Sequence, residues 1–358
     1  MPKLRILVVD DAVVMRKLIT ESLRQDPDLE VVGVAANGKI ALQKIPQVNP
    51  DLITLDLEMP EMDGLTTLRE IRKIYPRLCV IIFSTLSQRG AVATLEALSL
   101  GANDYVTKPA NVGGVTEAIE RLETELIPKI KAHCRRLLIG AGTTPRSSAA
   151  AAVPRMTGVG LVAPIEVVCI GTSTGGPNAL AEVFETLPGD LPVPVVMVQH
   201  MPPMFTTMLA ERLNARSAWR CHEGAEGQLI EKGHAYLAPG GRHMEVTRAG
   251  GNTRLHLHDG PAENSCRPAV DVLFRSVAAA YGRGVLSVVM TGMGQDGLRG
   301  CEVIREKGGR ALAQDEASSV VWGMPGQVAL AGLAEKVLPL NQIAREIAQQ
   351  VRSSRRMA

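Results

Sequence analysis

The chain has 358 residues, of which 46% are hydrophobic, 21% are charged and 3% are aromatic. This length predicts about two domains, and the hydrophobic content excludes an intrinsically disordered chain. The formal net charge is only +2. Neither the charge nor the aromatic content therefore indicates a protein that binds nucleic acid or an anionic membrane surface.

The six cysteines are scattered along the chain and form no C-x-x-C pair. Their spacing excludes a disulfide scaffold and a structural zinc site. No signal-like apolar segment precedes Asp10, and no run approaches the roughly 18 apolar residues of a membrane span. We therefore expect a cytoplasmic protein with reduced cysteines and no membrane insertion.

Short aliphatic runs alternate with helix-like amphipathic stretches through the first third of the chain. This alternation is typical of a parallel sheet that is covered by helices on both faces. The predicted strands are Leu4–Val9, Glu30–Ala35, Asp51–Leu55, Val80–Phe83 and Asp104–Val106. The predicted helices lie near residues 12–24, 37–46, 64–74, 89–100 and 113–132. Together they fit one doubly wound domain, which we place at residues 1–125.

A stretch rich in Gly, Thr, Pro, Ser and Ala interrupts this pattern and predicts a linker, which we place at residues 126–164. A second α/β pattern then predicts another doubly wound parallel sheet over residues 165–350. Its strand candidates are Glu166–Ile170, Val193–Gln199, Val285–Thr291 and Arg310–Ala313. Residues 219–258 combine Gly-rich turns with alternating segments, so we expect antiparallel hairpins inserted there. The tail 340–356 is predicted to be an amphipathic helix.

Polar side chains follow the predicted strands of the first domain. They are Asp10 and Asp11 after the first strand, Asp56 after the third, Ser84 after the fourth and Lys108 after the fifth. Ligands of open parallel sheets bind outside the carboxyl ends of the strands. Three carboxylates there need a cation and suit Mg²⁺, while a hydroxyl and a lysine suit a phosphoryl group. The alternative is that Asp10 or Asp11 merely caps the next helix.

This first domain resembles a response-regulator receiver domain. The motifs that carry the resemblance are VVDD (8–11), LDLEMPEMDG (55–64), FST (83–85) and TKP (107–109). The resemblance implies a flavodoxin-like fold in which Asp56 accepts a phosphoryl group from a sensor histidine kinase. The residues implied to hold Mg²⁺ are Asp10, Asp11, Asp56 and the backbone carbonyl of Glu58. The implied switch and phosphoryl-contacting residues are Ser84, with Thr85 beside it as an alternative, Tyr105 and Lys108.

A Gly-rich turn, GTSTGG (171–176), follows the first predicted strand of the second domain and precedes a helix. Such a turn can cradle an oxyanion or a phosphate at the helix N-terminus. A Walker phosphate loop is excluded because Gly-Gly-Pro-Asn stands where Gly-Lys-Ser/Thr is needed, and the glycine spacing excludes a dinucleotide fingerprint. The remaining pattern is G-x-S-x-G, with Ser173 as a nucleophile.

A serine nucleophile needs a base and a carboxylate at the same edge of the sheet. His200 follows a buried strand and is the predicted base. Asp296 follows another buried strand and is the predicted carboxylate, with Asp315 as a rival, whereas Asp271 is expected in a helix. The Met293 N–H is a candidate oxyanion donor. The order Ser–His–Asp differs from the Ser–Asp–His order of α/β-hydrolases and disfavours that fold.

The second domain resembles the catalytic domain of the chemotaxis protein-glutamate methylesterase (CheB) family, which implies a Rossmann-like fold. The motifs are GTSTGG (171–176), QHMP (199–202), PGGRHM (239–244), SCRPAVD (265–271) and TGMGQDG (291–297). The resemblance implies a catalytic triad of Ser173, His200 and Asp296. The candidate oxyanion and substrate residues are Thr174, Met293, Arg242 and His243. Arg242 stands where the family often has an acid.

The resemblance implies hydrolysis of glutamate methyl esters on chemoreceptors, with release of methanol, and deamidation of receptor glutamines. The implied partners are a CheA-like sensor histidine kinase and methyl-accepting receptors, with no nucleic acid. Mg²⁺ is expected at the receiver site and no cofactor at the hydrolase site. The residues alone indicate only a serine hydrolase controlled by a phosphorylatable domain.

Two other kinds of regulator are compatible with a receiver domain. In one, the second domain only binds a partner and Ser173 caps a helix. The other is a transcriptional regulator, which is disfavoured because no helix-turn-helix with a basic recognition face follows the linker.

Overall fold

The computed structural model describes residues 3–109, 114–134 and 163–356. The chain divides into two compact units, Met1–Ala149 and Ala150–Ala358. Within the described ranges, no helix is both long enough and apolar enough to cross a membrane.

The first unit contains a parallel sheet of five strands in the order β2-β1-β3-β4-β5. The strands are β1 (Leu4–Val9), β2 (Leu29–Ala35), β3 (Leu52–Asp56), β4 (Cys79–Ser84) and β5 (Asp104–Thr107). The helices are α1 (Val13–Arg24), α2 (Gly38–Val48), α3 (Gly64–Ile74), α4 (Gln88–Ser99) and α5 (Val115–His133). Every residue of β3 and β4 is buried, as expected for central strands that are covered on both faces.

The second unit contains a parallel sheet of seven strands in the order β14-β13-β12-β6-β7-β9-β8. These strands are β6 (Val167–Thr172), β7 (Val195–Gln199), β8 (Arg220–Glu223), β9 (His234–Leu237), β12 (Val285–Val289), β13 (Arg310–Gln314) and β14 (Lys336–Leu338). A separate antiparallel hairpin is formed by β10 (His243–Ala249) and β11 (Asn252–His258). The helices are α6 (Gly176–Thr186), α7 (Phe205–Arg216), α8 (Val270–Tyr281), α9 (Leu298–Glu306), α10 (Met324–Leu330) and α11 (Leu340–Arg356).

The predicted α/β class with two parallel sheets is confirmed, but the prediction for residues 219–258 is only half right. The hairpin β10–β11 is present, whereas β8 and β9 run parallel to each other and extend the main sheet beyond β7. Each of these strands has only four residues, which is too short to show a reliable period. The strand β14 lay outside the predicted elements for the same reason, since it has three residues.

The helix α5 ends at His133, so the predicted linker over residues 126–164 overlaps the end of that helix. Residues 135–162 of the predicted linker lie outside the described residues.

Both sheets have a point at which the strand order reverses. In the first unit β1 lies between β2 and β3, and in the second unit β6 lies between β12 and β7. At such a point the two connections leave in opposite directions and open a crevice at the carboxyl ends of the strands. The topology therefore places one candidate site at the edge of β1 and β3 and another at the edge of β12, β6 and β7.

The helices α8 and α9 pack tightly against each other at Gly300, near the start of α9. A Cβ atom added to Gly300 would lie 2.4 Å from the Cβ of Phe274, which is fully buried in α8. The Gly300 N–H also donates to the Asp271 carboxylate at 2.6 Å. The absence of a side chain at this position therefore lets the first turn of α9 lie against α8.

We expect Gly300→Ala to destabilise the protein by about 1–3 kcal/mol, because the added methyl group overpacks this contact. Helix propensity acts in the opposite direction, since alanine is favoured over glycine by about 1 kcal/mol in a helix interior. Urea unfolding of the full chain measures the difference. The matched control is Glu306→Ala at the exposed end of the same helix, which should change stability by less than about 0.5 kcal/mol. Equal stability of the two variants would contradict the packing argument.

Candidate active site and phosphorylation site

The turn after β6 holds Ser173 against the neighbouring strand end. The Ser173 N–H donates to the Thr291 carbonyl at 3.0 Å, and the Ser173 carbonyl accepts from the Gly176 N–H at 2.8 Å. Gly175 adopts a left-handed φ of +78°, which a glycine reaches without steric cost. This conformation turns the chain from β6 into α6 within a few residues, so that Ser173 stands at the carboxyl edge of the sheet.

Gln199, which the sequence analysis did not single out, joins the turns that carry Ser173 and His200. Its side-chain NH₂ donates to the Ser173 carbonyl at 2.9 Å and to the His200 carbonyl at 3.1 Å. Its side-chain oxygen accepts from the Thr172 hydroxyl at 2.7 Å. Gln199 is only 2% exposed, and it therefore fixes the spacing between the ends of β6 and β7. In the sequence, the position of Gln199 next to His200 in the motif QHMP could have indicated this role.

His200 and Asp296 form a direct pair at this edge. The His200 Nε2 atom lies 2.8 Å from Asp296 Oδ2, and the carboxylate is almost completely buried. Because a carboxylate accepts hydrogen bonds, this contact places the proton of the neutral imidazole on Nε2. The Nδ1 atom is then the basic nitrogen of His200.

The Asp296 carboxylate accepts hydrogen bonds from several groups besides His200. Its remaining donors are the backbone N–H groups of Val270 (2.7 Å), Asp271 (2.9 Å) and Gly297 (3.1 Å) and the side chain of Asn264 (2.9 Å). Two of these N–H groups belong to the first turn of α8, where free N–H groups favour negative charge. The position of Asp296 and its ionised state are therefore fixed by backbone groups of the fold.

The pKa values follow from these contacts. Burial acts to lower the pKa of His200, but the hydrogen bonds with Asp296 and Cys266 outweigh it and raise that pKa to about 9. Burial acts to raise the pKa of Asp296, but His200 and the surrounding backbone N–H groups lower it below its ordinary value. The geometry therefore favours an imidazolium paired with a carboxylate in the resting site.

The Nδ1 side of His200 faces Cys266, whose Sγ lies 3.4 Å away. Cys266 is the one cysteine of the six that is not buried.

Among the described residues, no hydrogen bond joins the Ser173 hydroxyl to His200. Catalytic hydrogen bonds are often long or unformed without substrate and close in the substrate complex.

The turns that carry Ser173 and Gly292 contain two candidate oxyanion donors, the backbone N–H groups of Thr174 and Met293. Neither the Thr174 N–H nor the Met293 N–H donates a hydrogen bond to another described residue. The turn is held in place at the same point, because the Thr291 hydroxyl donates to the Thr174 carbonyl at 2.9 Å. A Cβ added to Gly292 would lie 2.9 Å from the Ser173 Cβ, so a glycine is needed for this close approach. These features suit an oxyanion hole.

The two other candidate carboxylates have different surroundings. Asp315 accepts from the Ser318 N–H at 2.9 Å and from the Ser318 hydroxyl at 2.6 Å, so it closes its own turn. Asp271 lies in the first turn of α8, as predicted, and accepts from the N–H groups of Gly297 and Gly300. Of the three carboxylates, only Asp296 contacts His200.

The segment PGGRHM places its two candidate side chains differently. Arg242 is partly exposed and binds Asp259 at 3.1 Å. His243 is 1% exposed, and its Nε2 lies 2.9 Å from the Pro261 carbonyl while its Nδ1 accepts from the Ala269 N–H. Both ring nitrogens are therefore used within the protein. These contacts hold the loop that follows, and a contact of His243 with a substrate stays a prediction.

The first unit gathers its predicted residues at the edge of β1 and β3. Carboxylate oxygens of Asp10, Asp11 and Asp56 lie within 4.8 Å of one another. The Lys108 ammonium group lies 3.0 Å from Asp10 and 2.7 Å from Asp56. Burial raises the pKa of Asp56 to about 6 against the effect of Lys108, whereas the two carboxylates raise the pKa of Lys108 despite its burial. One lysine thus balances part of a strongly acidic pocket.

The residues of this pocket fit a divalent cation. Asp10 and Asp56 each have one buried carboxylate oxygen whose only partner among the described residues is the shared Lys108 ammonium group. Carboxylate oxygens are the ligands that Mg²⁺ prefers. Glu58 lies two residues after Asp56, and its N–H donates to Asp56 at 3.2 Å, so its backbone runs along the same pocket.

The predicted switch residues lie on β4 and β5. Ser84 is the last residue of β4 and is 2% exposed, and its hydroxyl donates to the Gly90 carbonyl at 3.1 Å. The neighbouring Thr85 hydroxyl bonds instead with Ser87 at 3.1 Å. Tyr105 is buried, and the Lys129 ammonium group lies 4.9 Å from the centre of its ring. Ser84 therefore belongs to the sheet edge that holds Lys108, and Thr85 belongs to the following turn.

Comparison with known proteins identifies both domains. The CheB methylesterase family matches residues 168–347, and the response regulator receiver domain matches residues 6–120. A protein-glutamate methylesterase/protein-glutamine glutaminase of Trichodesmium erythraeum is 54% identical over 98% of this chain and 100% of that protein. A protein of the same name from a Nocardioides species is 51% identical over 99% of this chain and 97% of its own length.

Among solved structures, the CheB methylesterase catalytic domain of Thermotoga maritima has 37% sequence identity and a TM-score of 0.51. It covers 52% of this chain and 98% of its own. The matched residues 168–347 contain Ser173, His200 and Asp296, and the matched residues 6–120 contain the acidic pocket. The chain therefore belongs to the CheB methylesterase family and carries a response regulator receiver domain ahead of its methylesterase domain.

Proposed function

We propose that this protein is a phosphorylation-regulated serine hydrolase that removes methyl groups from glutamate methyl esters of chemoreceptors and deamidates receptor glutamines. The observation that carries the proposal is the contact of 2.8 Å between His200 and a buried Asp296, beside the turn that presents Ser173. The relatives of matching length bear the name of both activities.

In the proposed reaction, the Ser173 hydroxyl oxygen attacks the ester carbonyl and its proton passes to Nδ1 of His200. Asp296 keeps the proton of Nε2 in place and stabilises the imidazolium that forms. The N–H groups of Thr174 and Met293, which donate to no other described residue, donate to the oxygen of the tetrahedral intermediate. The imidazolium then returns its proton to the methoxy group, methanol leaves, and the acyl group remains on Ser173.

Hydrolysis of the acyl-enzyme completes the cycle: water is now the nucleophile and the Ser173 oxygen is the leaving group. His200 takes a proton from water, the hydroxide attacks the acyl carbonyl, and the proton returns to the Ser173 oxygen as it leaves. With a glutamine substrate the leaving group is ammonia, so one site serves both reactions. No step requires a cofactor in the methylesterase domain.

Asp56 accepts the phosphoryl group in the receiver domain, and a CheA-like histidine kinase is the proposed donor. Asp10, Asp11, Asp56 and the Glu58 carbonyl would hold Mg²⁺, which when bound offsets the negative charge of the incoming phosphoryl group. Lys108 contacts the phosphoryl oxygens, while Ser84 and Tyr105 respond to its arrival. The substrate is the cytoplasmic part of methyl-accepting receptors, which places this protein in the cytoplasm.

We expect Ser173→Ala and His200→Ala each to lower kcat for methanol release from methylated receptor membranes by about 10³-fold or more. The double variant should lose little further activity, because members of a triad act as a unit. The Asp296→Asn variant tests the third member, and Asp315→Asn is its matched control. Loss of activity in Asp315→Asn with full activity in Asp296→Asn would reject the assignment.

The pKa of His200 predicts the pH dependence of the esterase. The raised value of about 9 keeps the imidazole protonated at lower pH, and the protonated ring cannot accept the Ser173 proton. We therefore expect kcat/KM to rise about tenfold per pH unit on the acid side and to level off near pH 9. In Asp296→Asn the midpoint should move down, because the negative partner is lost. A wild-type midpoint near the ordinary histidine value of 6.5 would contradict this account.

Phosphorylation should occur at Asp56 and should require a divalent cation. Labelling of the full chain by a small phosphodonor is expected to disappear in Asp56→Asn and after removal of Mg²⁺ with a chelator. Phosphorylation should change methanol release by about 5- to 150-fold, the range of typical coupling free energies. The control is Asp51→Asn, at the residue just before the same strand. Labelling that persists in Asp56→Asn would assign the phosphoryl group to another residue.

A further inference from the structure

The loop that precedes α8 brings a side-chain amide between two buried carboxylates. The Asn264 NH₂ group donates to Asp271 Oδ2 at 3.0 Å and to Asp296 Oδ1 at 2.9 Å. Asp271 and Asp296 are 1% and 2% exposed. The two hydrogens of one amide nitrogen thus serve one acceptor each, which no hydroxyl side chain could do.

The two carboxylates also cap each other's helices. Asp296, which lies just before α9, accepts from the first N–H groups of α8. Asp271, which lies in the first turn of α8, accepts from Gly297 and Gly300 at the start of α9. Two negative charges are therefore held close together in a buried place, where they repel each other strongly. The Asn264 amide is the neutral group that lies between them.

The backbone at Asn264 is held in an unusual conformation. Asn264 and Ser265 both have a left-handed φ, of +52° and +62°, which residues other than glycine rarely adopt in succession. Reciprocal backbone hydrogen bonds between Glu263 and Cys266 close this turn. The Glu263 side chain is in turn fixed by two hydrogen bonds from Arg275, of 2.6 and 2.7 Å. Fold contacts thus hold the amide at the carboxylate pair.

We propose that Asn264 is a positioning residue for the ester hydrolysis: its amide group holds the carboxylates of Asp271 and Asp296 together and thereby sets the charge that Asp296 presents to His200. This inference rests on the proposed function, because it concerns how the proposed base is tuned. Asn264 acts through Asp296 and is not itself assigned a contact with the substrate.

The electrostatic setting supports this role. Burial and the neighbouring Asp296 raise the pKa of Asp271 to about 6 against the effect of its hydrogen bonds, including that from Asn264. Among the described residues, the other charged or titratable groups that interact with this cluster are Cys266, Cys301, Glu263, Arg275 and Arg299. Glu263 and Arg275 are paired with each other, and Arg299 is paired with Glu302. A change of charge at position 264 would therefore directly change the electrostatic potential at Asp296.

Two variants test the side-chain amide of Asn264 while keeping the left-handed backbone conformation at that position. Asn264→Asp keeps the size of the side chain and adds a negative charge, while Asn264→Gly removes the side chain, and aspartate and glycine both tolerate a left-handed φ. The matched control is Asn252→Asp, which adds the same charge on the exposed end of the hairpin β10–β11. The measurements are the NMR titration of the His200 imidazole and the pH profile of kcat and KM for methanol release, all in the full chain.

We expect Asn264→Asp to raise the titration midpoint of His200 by about one pH unit, because the added charge stabilises the imidazolium. The acid limb of kcat/KM should move with it, which lowers the rate about tenfold at a fixed pH on that limb. Asn264→Gly should raise the midpoint by a smaller amount, since Asp296 loses a donor without gaining a charged neighbour. KM should stay within about twofold in both.

The proposal is overturned if folded Asn264→Asp and Asn264→Gly have the same His200 midpoint and the same pH profile as the Asn252→Asp control. If Asn264→Asp fails to fold, Asn264→Gly alone decides between these results. Failure of the proposed function gives a different result: wild-type protein would then release no methanol, or Ser173→Ala would release it at the wild-type rate, whatever the His200 titration shows.

Discussion

A carboxylate that is buried stays ionised only where enough hydrogen-bond donors replace water. Asp296 is such a group, since it is 2% exposed and accepts from three backbone N–H groups, the Asn264 amide and the His200 ring. These donors come from a strand-end turn, the first turn of a helix, a loop and a second strand end. The parts of the fold around the active site must all be in place before this one charge is stable, and the orientation of His200 depends on it.

The two domains use the carboxyl edge of a parallel sheet in different electrostatic ways. In the receiver domain, the Lys108 ammonium group is the only partner, among the described residues, of one buried carboxylate oxygen on each of Asp10 and Asp56. That pocket carries more negative than positive charge, so it suits a cation and a phosphoryl group that bind and are later released. The negative charge of Asp296 is instead balanced by backbone dipoles, which are a permanent part of the fold. The methylesterase site is therefore arranged for a constant charge and the receiver site for a changing one.

The sequence was sufficient to predict most strands of the two parallel sheets, with carboxyl ends within two residues of the observed ones. Ser173, His200 and Asp296 each come after a buried apolar run, and in a parallel sheet such positions meet at one edge. The same reasoning predicted the acidic pocket around Asp56. The correct predictions for both sheets were therefore based on the periodicity of apolar residues and on the position of polar residues after the strands.

The supporting residues could not be predicted in this way, because their roles depend on contacts between distant segments. Asn264 lies in an irregular loop and meets Asp296 across 32 positions of the chain. His243 carried a plausible substrate role by its place after two glycines, but the loop at Pro261 and Ala269 occupies both ring nitrogens. The strands β8 and β9 are too short to show a period, so their parallel pairing emerged only in three dimensions.

The central claim is that Asp296 fixes the tautomer of His200, with the proton on Nε2 and the lone pair on Nδ1. Nitrogen-15 NMR of the labelled imidazole ring, recorded above the pKa of about 9, tests it most directly. The account predicts a directly bonded proton on Nε2 and none on Nδ1. A proton on Nδ1 with a bare Nε2 would contradict it, because Asp296 would then face a lone pair and Ser173 would have no base.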